Sequence, residues 1–243
     1  MQYYISIEKN KEVFDFYKPL WAARGVEGIM AETMTDGIQR AIEFEKSETD
    51  ELFFIDIVAD DIDFMPQLKL LSQETNAPIL VATSQEHYTT KEHHDALNNG
   101  ADYYAPYCGD PCGKPEDDIE GVLSAVKSAN QRAGKRKSPN KLIIQGDVLL
   151  VADNYRAFIN NIEVNLTKLE TEIFRILLTD INENISHEQI LEKIHGDYDK
   201  AMSANLYNAI KRLRKKIQDA TGVDCIETVR NIGYRIITTK QDK

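Results

Sequence analysis

Cysteine is scarce, with three in 243 residues. Three thiols cannot all pair, which argues against a disulfide-stapled secreted fold and suits a reducing compartment. No apolar run approaches the roughly 20 residues needed to span a bilayer. The first ten residues, MQYYISIEKN, have neither the basic start nor the apolar core of a signal peptide. The chain is therefore expected in the cytoplasm, without membrane contact. Positive charge is also short overall: 29 Lys+Arg stand against 40 Asp+Glu, a net charge of -11. A uniformly spread charge of that sign would exclude a polyanionic partner. A nucleophile–base pair, a glycine-rich phosphate loop and a convincing metal cluster are missing, so no enzyme is expected. What is present, 42% hydrophobic and 28% charged residues, fits a globular protein of one or two domains.

The charge is not uniform. Residues 1–134 hold 11 Lys+Arg against 25 Asp+Glu, a balance of -14. Residues 135–243 hold 18 against 15, or +3, and from Met202 onward the count is 9 against 4, or +5. The cationic surplus coincides with SANLYNAIKRLRKKI, residues 203–217. There Leu206, Ile210, Leu213 and Ile217 fall at i, i+4, i+7 and i+11, one stripe of an α-helix. Asn205, Asn208, Arg212 and Lys215 fall on another face, flanked by Lys211, Arg214 and Lys216. An apolar stripe anchors such a helix while the opposite face offers amides and cations to a DNA major groove. A solvated basic face on an ordinary helix would read the same way. After a short loop, residues 226–230 and 234–236 form two β-rich runs around a turn built on Asn231 and Gly233, which reads as a hairpin with Arg230 at its tip. A basic helix followed by such a hairpin is the plan of a winged helix-turn-helix.

The stretches LTKLETEIFRILL (166–178), SHEQILEKIHG (186–196), IKRLRKKI (210–217) and ETVRNIGYRI (227–236) resemble the DNA-binding domain of OmpR/PhoB-type response regulators. That resemblance implies double-stranded promoter DNA as partner. It places Asn205, Asn208 and Arg212 at base edges and Ala209 at a thymine methyl. It places Lys211, Arg214 and Lys215 at phosphates, Thr228 and Tyr234 bracing the backbone beside the wing, and Arg230 in the adjacent minor groove. Ala204 stands where relatives often have Arg, which removes one phosphate contact.

Residues 1–134 alternate strand-like and amphipathic helical runs in five βα units, which implies a doubly wound parallel sheet with its ligand site at the carboxyl ends of the strands. Ala133–Asn140 reads as a solvated linker, the last six residues of it, 135–140, separating 1–134 from 141–243. The fold class expected is thus an α/β unit of (βα)5 type followed by an α+β winged-helix unit. The first unit resembles a receiver domain, in which Asp56 in FFIDI would be the phosphoacceptor and Thr83 the nearby hydroxyl that contacts the phosphoryl group. Two departures stand out. The paired acids that hold Mg²⁺ read Glu8-Lys9, leaving Glu8 and Asp56 as a weak, degenerate metal site. The Lys that receivers carry after the fifth strand is Tyr107, followed by Cys108. Losing those charges costs phosphoryl transfer, and Lys9 could neutralise Asp56 instead. Two readings stay open: a degenerate, phosphorylation-independent receiver without a cofactor, or a phosphorelay through Asp56 fed by a sensor histidine kinase. The acids Asp60, Asp61 and Asp63 read as a solvated loop. Cys108, Cys112, His93 and His94 could make a zinc or redox site, but the spacing and the Gly and Pro between the cysteines suit a plain loop. His87 lacks an obvious partner. The resemblance further implies a homodimer through the fourth and fifth receiver helices, with RNA polymerase as a possible further partner. A protein-interaction adaptor with vestigial DNA binding remains the alternative outside DNA recognition.

Overall fold

The computed structural model describes residues 1–47, 50–84, 86–106, 115–132, 142–181, 183–195 and 200–237. The chain divides into two compact units, Met1–Pro139 and Asn140–Lys243. The expected linker, together with Tyr107, Cys108 and Cys112, lies outside the described residues.

In the first unit, β1 (Gln2–Ile7), β2 (Val26–Ala31), β3 (Glu51–Val58), β4 (Ile79–Thr83) and β5 (Tyr103–Pro106) form a parallel sheet in the order β2-β1-β3-β4-β5. The crossovers are α1 (Lys11–Ala22), α2 (Met34–Glu45), α3 (Met65–Glu74) and α4 (Thr90–Asn98), and α5 (Pro115–Arg132) follows the last strand. Asn10, Thr33 and Thr89 start α1, α2 and α4, each accepting a backbone N–H that would otherwise be orphaned. Gly100 ends α4 at φ +107°, a conformation that only glycine takes without strain. Because strand side chains alternate, Ile5, Ile7, Ile55 and Ile57 are sealed on one face of the sheet. The even-numbered residues face the other side, where Tyr4, Phe14, Trp21 and Phe54 make an aromatic cluster backed by Ile119 and Val126 of α5. The Tyr4 and Phe54 rings stack with centroids 5.2 Å apart.

The second unit opens with an antiparallel sheet of β6 (Leu142–Gln145), β7 (Val148–Val151), β8 (Arg156–Ile159) and β9 (Ile162–Asn165). Asn160 and Asn161 turn the last hairpin with φ of 50° and 66°, the left-handed pair that two-residue turns demand. Then come α6 (Lys168–Thr179), β10 (Ile185–Ser186), α7 (His187–His195) and α8 (Lys200–Thr221), followed by β11 (Ile226–Val229) and β12 (Gly233–Ile236). The last three strands pair antiparallel in the order β10-β12-β11. Thr167 and Glu170 close a capping box on α6, and Ser186 and Gln189 exchange the equivalent bonds on α7, at 2.8 and 3.1 Å. Glu170, only 2% exposed, also takes the Lys216 ammonium at 2.7 Å, which ties α6 to α8. Leu206, Ile210, Leu213 and Ile217 are all buried in one core with α6, α7 and the hairpin.

α8 begins at Lys200, ahead of the basic stretch; Lys, Ala and Met are good helix formers, and polarity alone does not break a helix. One expectation is corrected here. Gly233 is not a turn glycine. Asn231 supplies the positive φ, at 62°, while Gly233 sits in β12, where a Cβ would lie 1.9 Å from the Ile185 carbonyl oxygen. Glycine is there to let β10 approach.

Candidate nucleic-acid interface and acidic centre

The anchored stripe of α8 leaves Asn205, Asn208, Lys211, Arg212 and Lys215 exposed along the helix, and Arg230 exposed at the wing. These six side chains lie on an accessible surface without a hydrogen bond or ion pair among the described residues, as major-groove and phosphate contacts require. Four other residues expected at DNA are placed differently. Ala209 is 0% exposed, packed in the core, so it cannot reach a thymine methyl. Tyr234 is also buried. Its ring lies against His187, its hydroxyl is 3.2 Å from His187 Nε2, and burial pushes the phenol up in pKa. Arg214 is a strut rather than a phosphate contact. Its Nε donates to the Ile226 carbonyl at 2.7 Å and its Nη2 to the Thr228 hydroxyl at 2.8 Å, with Asp224 3.6 Å away and the Tyr234 ring beneath it. Thr228 is exposed but engaged as that acceptor. The physical reason is shared: one turn beyond the exposed face, α8 meets the hairpin, and whatever points there becomes packing. Tyr207 (58% exposed) and Ile232 (49%), at the helix and the wing tip, are large side chains on this surface that periodicity did not single out. Their signal was an aromatic and an aliphatic residue lying off the buried stripe. The side chain of Ala204 lies outside the described residues.

The acidic centre of the first unit splits into two clusters. Asp56 lies inside β3, paired in register with Ser6 and Leu80, and not at the strand's end. It lines a cavity of about 200 Å³ on the aromatic face of the sheet, together with Glu8 and Tyr4. Glu8 is 2% exposed; its Oε1 accepts from the Ser6 hydroxyl at 2.5 Å, and its Oε2 has no hydrogen-bond partner among the described residues. Burial, then the neighbouring Glu8 carboxyl, pushes Asp56 up to about 7. Burial raises Glu8 as well. Lys9 is exposed and forms no ion pair with Asp56 among the described residues, so the expected neutralisation of Asp56 by Lys9 does not occur in this geometry.

The second cluster sits at the end of β4. The Thr83 hydroxyl donates to Asp60 Oδ1 at 2.8 Å, and the Ser84 N–H donates to the two oxygens of the same carboxylate at 2.9 and 3.2 Å. His87 Nδ1 lies 3.2 Å from Asp60 Oδ1 and 3.1 Å from Ser84 Oγ. Thr83, expected beside Asp56, is thus committed to Asp60. Asp60 is part of a built cluster and not of a solvated loop, and His87 has partners. Sequence reasoning missed this because Asp60 and Ser84 meet only when β3 and β4 pair. His93 is likewise occupied: its Nδ1 is 2.6 Å from the Tyr88 hydroxyl, and its ring stacks on Tyr104. No group of three or more His, Cys, Asp or Glu that could hold a metal is found among the described residues.

Residues 161–236, which run from the β9 edge to the end of the wing, match the family model described as "Transcriptional regulatory protein, C terminal". The whole arrangement is similar to response regulators named ArlR. The chain is 29% identical over 203 residues to that of Staphylococcus aureus strain Mu50, covering 83% of this chain and 84% of the relative. It is 27% identical over 202 residues to that of Staphylococcus epidermidis strain RP62A, covering 82% and 83%. The chain is thus similar to response regulators over both units, and residues 161–236 carry the transcriptional-regulator C-terminal domain. Among solved structures, the Klebsiella pneumoniae RstA DNA-binding domain in complex with the RstA box is 27% identical, covering 40% of this chain and 96% of that one with a TM-score of 0.35. The match makes the second unit the C-terminal domain of a DNA-binding transcriptional regulator, and α8 and the wing lie within the matched residues.

Proposed function

We propose that the protein is a homodimeric, sequence-specific transcription regulator acting on promoter DNA in the cytoplasm, with no enzymatic activity of its own. Its receiver works without an aspartyl phosphate or a bound Mg²⁺. One observation carries this reading: the hydroxyl of Thr83, which stands where the family resemblance expects a phosphoryl contact, already donates to the Asp60 carboxylate, as does the neighbouring Ser84 N–H. A resident carboxylate supplies the negative charge and the acceptor oxygens that the aspartyl phosphate would otherwise bring. The donor set around Asp56 does not fit Mg²⁺, which wants near-octahedral hard ligands with several waters. Two carboxyls, one already bonded to Ser6, face aromatic walls, and the third acid is replaced by the exposed Lys9. Support for pairing of protomers is the exposed Leu97 on α4, 40% accessible.

The test is treatment of the full chain with acetyl phosphate and Mg²⁺, followed by intact mass and by fluorescence anisotropy on promoter DNA. The expected result is no added phosphate and unchanged DNA affinity. Stoichiometric phosphate that disappears in Asp56→Asn, with tighter DNA binding in the phosphorylated protein, would overturn the phosphorylation-independent part. Binding without sequence preference, unaffected by Arg212→Ala, would favour the adaptor instead.

A further inference from the structure

The residues that line the cavity on the aromatic face of the sheet belong to the first unit. It measures about 200 Å³, somewhat larger than the roughly 150 Å³ hole that admits benzene. Its walls include Phe14, Trp21, Phe54 and Val122. Its polar end is made of three groups from neighbouring strands, Tyr4, Glu8 and Asp56. The period-2 alternation of β1 and β3 puts all three on this one face. Tyr4 and Glu8 are each 2% exposed, and both the Tyr4 hydroxyl and Glu8 Oε2 lack a hydrogen-bond partner among the described residues. The Tyr4 hydroxyl lies over Gly28 of β2, but buried polar atoms are almost always satisfied, so the orphaned oxygen of Glu8, a residue lining the cavity beside Asp56, marks a place for a partner atom. Gly121 of α5 also lines the cavity, with nothing among the described residues within 4 Å of a Cβ built there.

From this geometry we infer that the cavity is a binding site for a small aryl-alkyl amine, its ammonium seated between Glu8 and Asp56 and its ring against Phe14, Trp21 and Phe54. The chemistry decides the class. Two carboxyls sharing an apolar pocket repel, and an anion would add a third like charge. A hydrocarbon would leave the buried acceptors unpaired, at a cost that wholly apolar contact does not offset. An ammonium offers up to three donors to the acceptors and is attracted to the faces of the surrounding rings. The volume admits one benzene-sized ring with a chain of about two or three atoms. The site rests on the reading that Asp56 is not a phosphoacceptor; with it, the receiver's input is a soluble organic cation in place of a phosphoryl group.

Trp21 is the only tryptophan in the chain and forms part of the wall, so its fluorescence reports on the site directly. The full chain is titrated with 2-phenylethylamine, with ethylbenzene (the ring without the cation) and with propylamine (the cation without the ring), and thermal midpoints are recorded alongside. A saturable fluorescence change and a raised midpoint are expected for 2-phenylethylamine, with both controls at least tenfold weaker. Glu8→Gln, which keeps the shape and removes the charge, is expected to weaken 2-phenylethylamine at least tenfold, or by about 1.4 kcal/mol. Gly121→Phe, at an open position, is expected to abolish binding while leaving the melt of the free protein cooperative. Equal binding of ethylbenzene, an unchanged affinity in Glu8→Gln, or no saturation up to millimolar amine would each overturn the inference. The acetyl phosphate experiment separates the two claims: absence of both phosphate and amine binding refutes the ligand site alone, whereas phosphate on Asp56 refutes the reading beneath it.

Discussion

Thr83 Oγ1 donates to Asp60 Oδ1 across 2.8 Å, and Asp56, two strand positions before the end of β3, is left to face a cavity instead. The carboxylate that matches a receiver's phosphoacceptor and the hydroxyl that would read its phosphate therefore belong to separate clusters. Asp60 joins the β3 end to the β4 end through Thr83, Ser84 and His87.

Asp60→Ala leaves the Thr83 hydroxyl and the Ser84 N–H without their acceptor. Each orphaned donor costs about 1–3 kcal/mol where water cannot replace the partner. Because Asp60 keeps some access to solvent, a loss of about 2 kcal/mol in the first unit is expected, read as a lowered urea midpoint. Asp60→Asn, which keeps an acceptor oxygen, should recover most of it.

Asp56 sets a pH dependence of definite sign. Its folded-state carboxyl sits at about 7 against an ordinary 3.8. Between those values the folded chain holds a proton that the unfolded chain has released, so stability falls as pH rises through that window. A movement of that size corresponds to at most about 4 kcal/mol. Glu8, raised by its burial, contributes with the same sign. Urea unfolding at about pH 5 and about pH 8 should show the wild type losing stability, and Asp56→Asn losing clearly less.

The two arginines of α8 should separate cleanly. Arg212 is exposed, so Arg212→Ala should cost about 1–3 kcal/mol of DNA binding and relax preference at one position, with the melting temperature unchanged. Arg214 bonds the Ile226 carbonyl and Thr228, so Arg214→Ala should lower the stability of the second unit by about 1–3 kcal/mol. Lys215→Ala should weaken all sequences alike and reduce the salt slope by about one. Anisotropy titrations at several salt concentrations, paired with melts, check all three.

Gly233→Ala places a methyl 1.9 Å from the Ile185 oxygen. Backbone cannot yield as a side-chain tip can, so β10 and β12 must part, at a cost of about 3 kcal/mol or more. The expected outcome is a broadened, lowered melt of the second unit and loss of DNA binding. Tyr234→Phe, which removes only the hydroxyl near His187, should leave DNA affinity within about twofold, because its ring is buried.

The sequence by itself determined what local periodicity and turn chemistry can determine. Five βα alternations specified a parallel sheet, the Leu206–Ile210–Leu213–Ile217 stripe specified which side of α8 is anchored, and the two β-rich runs around Asn231 specified the hairpin that follows it. All of these arise between residues a few positions apart, where spacing and geometry are the same thing. What only the tertiary structure decided are meetings across strands. These are the pairing of Asp60 with Thr83, the convergence of Tyr4, Glu8 and Asp56 on one cavity, the conversion of Arg214 from a phosphate contact to a strut, the burial of Ala209 and Tyr234, and the close approach of Ile185 to Gly233. Each depends on register and on which neighbour covers a face. A side chain's neighbours across a sheet lie tens of residues away in the chain, and no local pattern encodes which of them arrives.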